Sequence, residues 1–226
     1  MLERLADDLF TVKRPQKFLG IDIGTRMTVV RLADAALWLH SPVPLDADLR
    51  RAVEEIGTPR FAVAPNRFHH LHVGDWASAW PDLEIHAAPG LESKRPDLAI
   101  AATLGDEAPE AWRGRIDQRP VRGADLMSEV VFLHRDSRTL ILTDLAFNVG
   151  DEAAPSARLL FRMMGRLGRF GPSFLEKLII RDRAAASEDF EHILGWDFDR
   201  VLVTHGEVLE SGGRAALREG YAWLLD

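Results

Sequence analysis

Three histidines stand within four residues in the segment Pro65-Asn66-Arg67-Phe68-His69-His70-Leu71-His72. The segment follows an apolar run, residues 60–64, that reads as a buried strand stopping at Pro65. Side chains leaving the carboxyl end of a buried strand converge where α/β proteins build their sites. Two later strands end in a similar way: Thr139-Leu140-Ile141-Leu142-Thr143 runs into Asp144, and Arg200-Val201-Leu202-Val203-Thr204 runs into His205 and Gly206. Imidazole nitrogens and a carboxylate are ligands for Zn²⁺, Fe²⁺ or Mn²⁺, and a divalent ion so held activates water and polarises carbonyl or phosphoryl oxygens. One such ending is ordinary, because an aspartate after a strand usually caps a turn or helix. Three together point to a site.

The elements that must position these endings can be read from hydropathy. Apolar runs at 9–12, 27–32 and 36–40 predict a β-meander. Residues 46–56 put Leu49, Val53 and Ile56 on one face behind a polar start, a helix ended by Gly57. Residues 68–80 are apolar at helical spacing, and 84–88 read as a strand. The stretch 89–120 mixes Gly, Pro and charge, and reads as a long loop with a short helix near 99–104. Strands at 129–134 and 139–145 flank a hairpin turn at 135–138. Helices at 155–167, 173–180 and 183–194, a strand at 200–204 and a closing helix at 213–225 complete the chain. Strands then helices, twice over, predict an α/β fold with two sheets stacked face to face and helices outside. This is a four-layer αββα sandwich, expected as one domain over residues 1–226.

Composition narrows the function classes. Twenty-eight Lys and Arg against 35 Asp and Glu give a net charge of −7, which disfavours a nucleic-acid partner. There is no cysteine, so disulfides, thiolate ligands and thiolate nucleophiles are excluded. No G-x-S-x-G elbow is present, and Gly20-Ile21-Asp22-Ile23-Gly24-Thr25 lacks a P-loop lysine and reads as a β-turn. The opening MLERLADD is not a signal peptide, and no window approaches the ~18 apolar residues of a membrane span. The expectation is a cytoplasmic protein acting on a small molecule, with no membrane or nucleic-acid partner and with a symmetric homodimer open to it.

At this point the sequence resembles the metallo-β-lactamase superfamily. It is similar to a branch marked by L-W-x-H-S-P, P-N-x-F-H-H, S-R-T-L-x-x-T-D and H-G, which stand here at 37–42, 65–70, 137–144 and 205–206. The resemblance runs from about Leu9 to the chain end and implies the αββα sandwich and a metal-dependent hydrolase of an ester, thioester or phosphoester. The superfamily's first motif is H-x-H-x-D-H. Laid over 65–70, it has Pro65 and Arg67 in place of its first two histidines and His69 in place of its aspartate; only His70 keeps its type. The histidine expected before the strand near Glu129 is also missing, with Ala124-Asp125-Leu126 there instead.

The resemblance therefore implies that one metal position is lost and the other is kept. The second would hold a single divalent ion, zinc foremost, with iron or manganese as alternatives. Its ligands would be His69 or His70, together with Asp144 and His205, with His72 as a further ligand or a partner for His70. Arg67 has two readings: a fixed cation beside Asp144 that binds a substrate carboxylate or phosphate, or an ion-pair partner of Asp144 that replaces metal altogether. The latter would make the protein a metal-free binding or regulatory module. His40 reads as core or as lining the same face, His86 as preceding an ordinary Pro-Gly turn, His134 as exposed beside the hairpin turn and His192 as surface.

Overall fold

The computed structural model describes residues 1–225. Its first half contains β1 (Glu3–Ala6), β2 (Leu9–Arg14), β3 (Lys17–Phe18), β4 (Ile21–Asp22), β5 (Thr25–Arg31), β6 (Ala36–His40), α1 (Ala47–Ile56), β7 (Thr58–Ala64), α2 (Val73–Ala79), β8 (Glu84–Ala87), α3 (Leu91–Lys94) and β9 (Ile100–Thr103). The second half contains β10 (Ile116–Pro120), β11 (Val130–His134), β12 (Thr139–Leu142), α4 (Pro155–Met163), α5 (Phe174–Ile179), α6 (Arg183–Leu194), β13 (Arg200–Val203), α7 (Gly213–Gly220) and α8 (Ala222–Leu225). A seven-stranded sheet has the order β1-β2-β5-β6-β7-β8-β9, and a four-stranded sheet the order β10-β11-β12-β13.

Strand alternation decides which layer each side chain enters. In β5, Met27 and Val29 pack with Leu49, Val53 and Trp76 of α1 and α2. Val30, one residue after Val29 and so on the opposite face, packs instead with Trp38, Phe132, Ile141 and Leu202, where the two sheets face each other. The outer side of the second sheet, with Leu140, Leu142, Val201 and Val203, is covered by Phe190, Ile193, Leu217 and Leu224 of α6 to α8. Helix, sheet, sheet, helix is the expected order. α1 begins where the Asp46 carboxylate accepts the Leu49 N–H at 2.7 Å.

Parallel pairing then sets the site. β12 and β13 run side by side with Leu142 opposite Val203, so Asp144 and His205, each two residues further on, leave the same sheet end together. β6 and β7 are likewise parallel, with His40 opposite Val63, which brings Ser41 beside the 65–70 segment. The two sheets are stitched here by Val130 N–H to Pro65 O at 2.8 Å and Arg67 N–H to Met127 O at 2.9 Å.

Several expected elements differ. Residues 68–72 are turns and the helix starts only at Val73, because the Asn66 side-chain oxygen accepts the N–H groups of both Phe68 and His69 at 2.8 Å. The helix expected near 99–104 is strand β9, paired parallel with β8 at the sheet edge; tertiary pairing overrides the local pattern there. β10 lies inside the stretch read as loop, α4 ends at Met163 before Gly165 at φ 71°, and the closing helix is broken at Tyr221. Among the described residues no helix is long and apolar enough to cross a membrane.

Candidate metal centre

Asp144, on the turn after β12, receives one imidazole from each side. His69 Nε2 lies 3.3 Å from Asp144 Oδ2, and His205 Nε2 lies 3.4 Å from Asp144 Oδ1. The three ligand atoms are all within 4.8 Å of one another. Each imidazole is held by its other nitrogen: His205 Nδ1 is 2.8 Å from the Gly24 carbonyl, and His69 Nδ1 is 2.9 Å from Ser41 Oγ. The carbonyl can only accept, so His205 carries a proton on Nδ1 and turns Nε2 toward Asp144. Phe147 stacks on the His205 ring at 6.0 Å between centroids.

These separations suit a metal. Two ligands each about 2.05 Å from a tetrahedral ion lie about 3.3 to 3.4 Å apart. The observed spacings match that and are longer than the 2.7–2.9 Å typical of a strong charge-assisted hydrogen bond. Two imidazoles and a carboxylate, with no sulfur, form a set that Zn²⁺, Fe²⁺ and Mn²⁺ all accept.

A buried polar network holds the carboxylate. Asn66 Nδ2 sits 2.7 Å from Asp144 Oδ2, 2.8 Å from Thr143 Oγ1 and 3.0 Å from Glu129 Oε2. Glu129, fully buried, accepts the backbone N–H groups of Thr143 at 2.7 Å and Asp144 at 2.8 Å. Burial works to raise the Asp144 carboxyl, but the His69 charge and the bonds from His205 and His69 outweigh it and hold Asp144 well below the usual carboxylate range. Glu129 goes the other way. Burial first, and the Asp144 charge second, push it up to about 7, against the bonds from Thr143 and Asp144.

The structure sorts the sequence candidates. His69, Asp144 and His205 come together; His70 does not. Its Nδ1 is 2.9 Å from an Arg95 Nη, and burial with the charges of Lys94 and Arg95 lowers its pKa to about 4. His69, one residue earlier, takes the place open to either. His72 Nδ1 is 3.6 Å from Asp75, and its Nε2 is buried with no hydrogen-bond partner among the described residues.

Arg67 corrects both of its readings. Its guanidinium donates to the Asp125 carbonyl at 3.1 Å and makes no ion pair with Asp144 among the described residues. The Asn66 turn directs residue 66 inward and residue 67 outward, so the Asn66 amide fills the space beside Asp144. His40 is core, stacked on Trp38 at 5.6 Å, next to Ser41. His134, expected to be exposed beside the hairpin turn, is instead buried in β11. Glu129, expected to open a strand and able to approach the site, does reach it through the Thr143 and Asp144 N–H groups. Asn66 and Ser41 were the residues that residue type alone did not single out. A buried Asn directly after a strand was the available signal.

The family described as "Domain of unknown function (DUF4336)" matches residues 6–166, well over half of the chain. The chain belongs to the DUF4336 family. No protein of curated function matches it. Solved structures supply the fold. DIM-1 metallo-β-lactamase exposed to ceftazidime aligns at a TM-score of 0.68 with 13% identity, covering 99% of this chain and 96% of that one. The mono-zinc form of FIM-1 metallo-β-lactamase from Pseudomonas aeruginosa aligns at 0.61 with 11% identity, covering 100% and 92%. A metal-soaked flavodiiron core from Synechocystis aligns at 0.66 with 13% identity, covering 99% of this chain and 60% of that one. This DUF4336 chain therefore has the metallo-β-lactamase fold, as its sequence resembles.

A cavity of about 630 Å³ is lined by His69, Asp144 and His205 of the DUF4336 chain. His72 and Ser41 also line it; Arg67 and His70 do not. The rest of its wall is mainly apolar and comes from α4, α5, β3 and the segments around Phe68 and Leu71, Met127 and Phe147.

Proposed function

We propose that this protein is a metal-dependent hydrolase with a single divalent ion held by His69 Nε2, the Asp144 carboxylate and His205 Nε2, acting on an ester, thioester or phosphoester. The single observation that carries the reading is the placement of that triplet at metal-ligand spacing on the wall of a cavity large enough for a small molecule. The mono-zinc FIM-1 relative supports one zinc as an occupancy this fold accommodates. When bound, such an ion supplies Lewis acidity toward a carbonyl or phosphoryl oxygen and lowers the pKa of a water toward ~7.

The chain's own groups do the rest. Gly24 O and Ser41 Oγ fix the ring orientations, so both Nε2 atoms face Asp144. Asp144, kept ionised, accepts a hydrogen bond from the attacking water and orients it. His72 also lines the cavity, with its Nδ1 3.6 Å from Asp75.

Element analysis of protein purified without chelators tests the proposal. One equivalent of zinc, iron or manganese is expected, lost in Asp144→Ala and in His205→Ala. An absence of saturable zinc binding by calorimetry in the native chain would overturn it, and unaltered stability in both variants would then favour the metal-free module.

A further inference from the structure

The cavity beside the triplet is chemically two-ended. At one end stand His69, Asp144 and His205; most of the remaining wall is hydrocarbon or thioether. Phe161, Leu160 and Met164 come from α4 and the residue after it, Ile179 and Leu175 from α5, and Ile23 from the segment after β4. Three of the chain's five methionines, Met127, Met163 and Met164, line it. Unbranched thioether side chains adapt to irregular apolar guests.

Large apolar side chains continue to the surface. Phe18, Phe68, Leu71, Met163, Phe174 and Leu175 all line the cavity, yet are 56, 42, 56, 74, 52 and 40% exposed. An exposed cluster of this kind on a soluble face marks a binding surface. Charge speaks against an anionic occupant. Lys17 is the only lysine or arginine lining the cavity among the described residues, although the chain has 28. A phosphate or carboxylate ligand is normally gripped by a guanidinium fork or several cationic donors, and the wall carries no arginine and one lysine.

We infer that the cavity receives an unbranched aliphatic chain, so that the substrate is a carboxylic ester or thioester of a medium to long acyl group. The assignment of the bond cleaved rests on the hydrolytic reading above; the assignment of the chain rests on the walls alone. In the reaction, one water adds to the acyl carbon, the C–O or C–S bond breaks, and one water proton ends on the departing oxygen or sulfur. The products are the free acid and an alcohol or thiol, with no change in oxidation state. The cavity walls hold the acyl tail and exclude bulk water from the reacting end.

Calorimetric titration of the protein as purified with neutral straight-chain N-methylamides of four to ten carbons tests the chain assignment without requiring turnover. The dissociation constant should fall about fourfold with each added methylene until the cavity is filled. Leu175→Asp and Met163→Asp, both at exposed positions on the cavity wall, should flatten the series to less than twofold per methylene and leave the four-carbon amide unaffected. Equal affinity across the native series would overturn the inference.

A parallel series of p-nitrophenyl esters, acetyl to decanoyl, separates it from the hydrolytic reading. Chain-dependent amide binding with no ester cleavage sinks the hydrolase and leaves the chain pocket standing. Cleavage of the acetyl ester with kcat/KM independent of chain length does the reverse. Co-sedimentation with phosphatidylcholine vesicles distinguishes the source of the chain. Binding assigns a lipid met at a bilayer surface, and no binding, with the soluble ester slope kept, assigns a soluble ester or thioester.

Discussion

The Asn66 side-chain amide donates to Asp144 Oδ2 at 2.7 Å, while its Oδ1 accepts the His69 backbone N–H at 2.8 Å. One side chain thus sets the carboxylate from the second sheet and the imidazole from the first.

Replacing Asn66 should therefore cost both stability and metal. Asn66→Ala leaves Glu129 and Asp144 facing each other in a buried space without their shared donor. Unsatisfied buried partners typically cost about 1–3 kcal/mol, and loss of a group that orients metal ligands typically lowers affinity about 10- to 100-fold. Urea unfolding and competitive zinc titration measure the two effects. A variant with native zinc affinity would refute the positioning role.

Arg26 should tie down the other imidazole. Its side chain is buried in β5 and donates to Val203 O at 3.1 Å and Gly206 O at 2.7 Å, the carbonyls on either side of the His205 segment. Arg26→Lys keeps the charge, but its single ammonium cannot match the planar fork. The expectation is about tenfold weaker zinc binding with a smaller relative loss in melting temperature, read by calorimetry and thermal denaturation. Equal zinc affinity in the variant and the native chain would remove the role.

Gly206 is required where it stands. Its φ is +111°, and a Cβ there would lie 2.1 Å from the Asn148 carbonyl oxygen and 2.3 Å from its carbon. Backbone on the far side cannot step aside, so Gly206→Ala should destabilise by about 2 kcal/mol or more. Gly212, also at positive φ (+72°) but with open space around it, is the control. Gly212→Ala should cost only the left-handed penalty, about 1 kcal/mol. Equal shifts in urea midpoint would contradict the steric argument.

Acid should weaken the fold through His40. Burial chiefly, then the His69 charge, lowers its pKa to about 3, against about 6.5 in the unfolded chain. Below pH 6.5 the unfolded state takes a proton that the folded state refuses, so stability falls as pH drops from about 6.5 toward 3. One such group gives a slope of up to about 1.4 kcal/mol per pH unit. Burial lowers His86 and His134 too, with the same sign. Urea unfolding between pH 4 and 6 should show a slope smaller by about one proton in His40→Leu than in the native chain. An unchanged slope would mean that His40 does not titrate this way.

The layer order was legible because alternation is a local signal. Ala36–His40 and Arg183–Leu194 have the expected bounds, and the Asp46 start and Gly57 stop of α1 follow from capping chemistry. The strand β9 was not, since its pairing with β8 is a long-range fact that a short stretch beginning Ile100-Ala101 cannot carry. At the site, residue type and strand ending nominated Asp144 and His205, but choosing between His69 and His70 needed the Asn66 turn. Neighbouring positions differ only in direction, and direction is set by which backbone N–H groups Asn66 captures. Arg67 was overvalued for the same reason.

The candidate ligands also belong to different halves of the molecule. His69 hangs from the seven-stranded sheet, and Asp144 and His205 from the four-stranded one. An ion at this seam would act as a rivet through both plates. Its affinity would be stored as resistance to prising them apart, roughly 4 kcal/mol when free ion stands at a thousand times its Kd. Chelation should then loosen plate from plate before it frays either one.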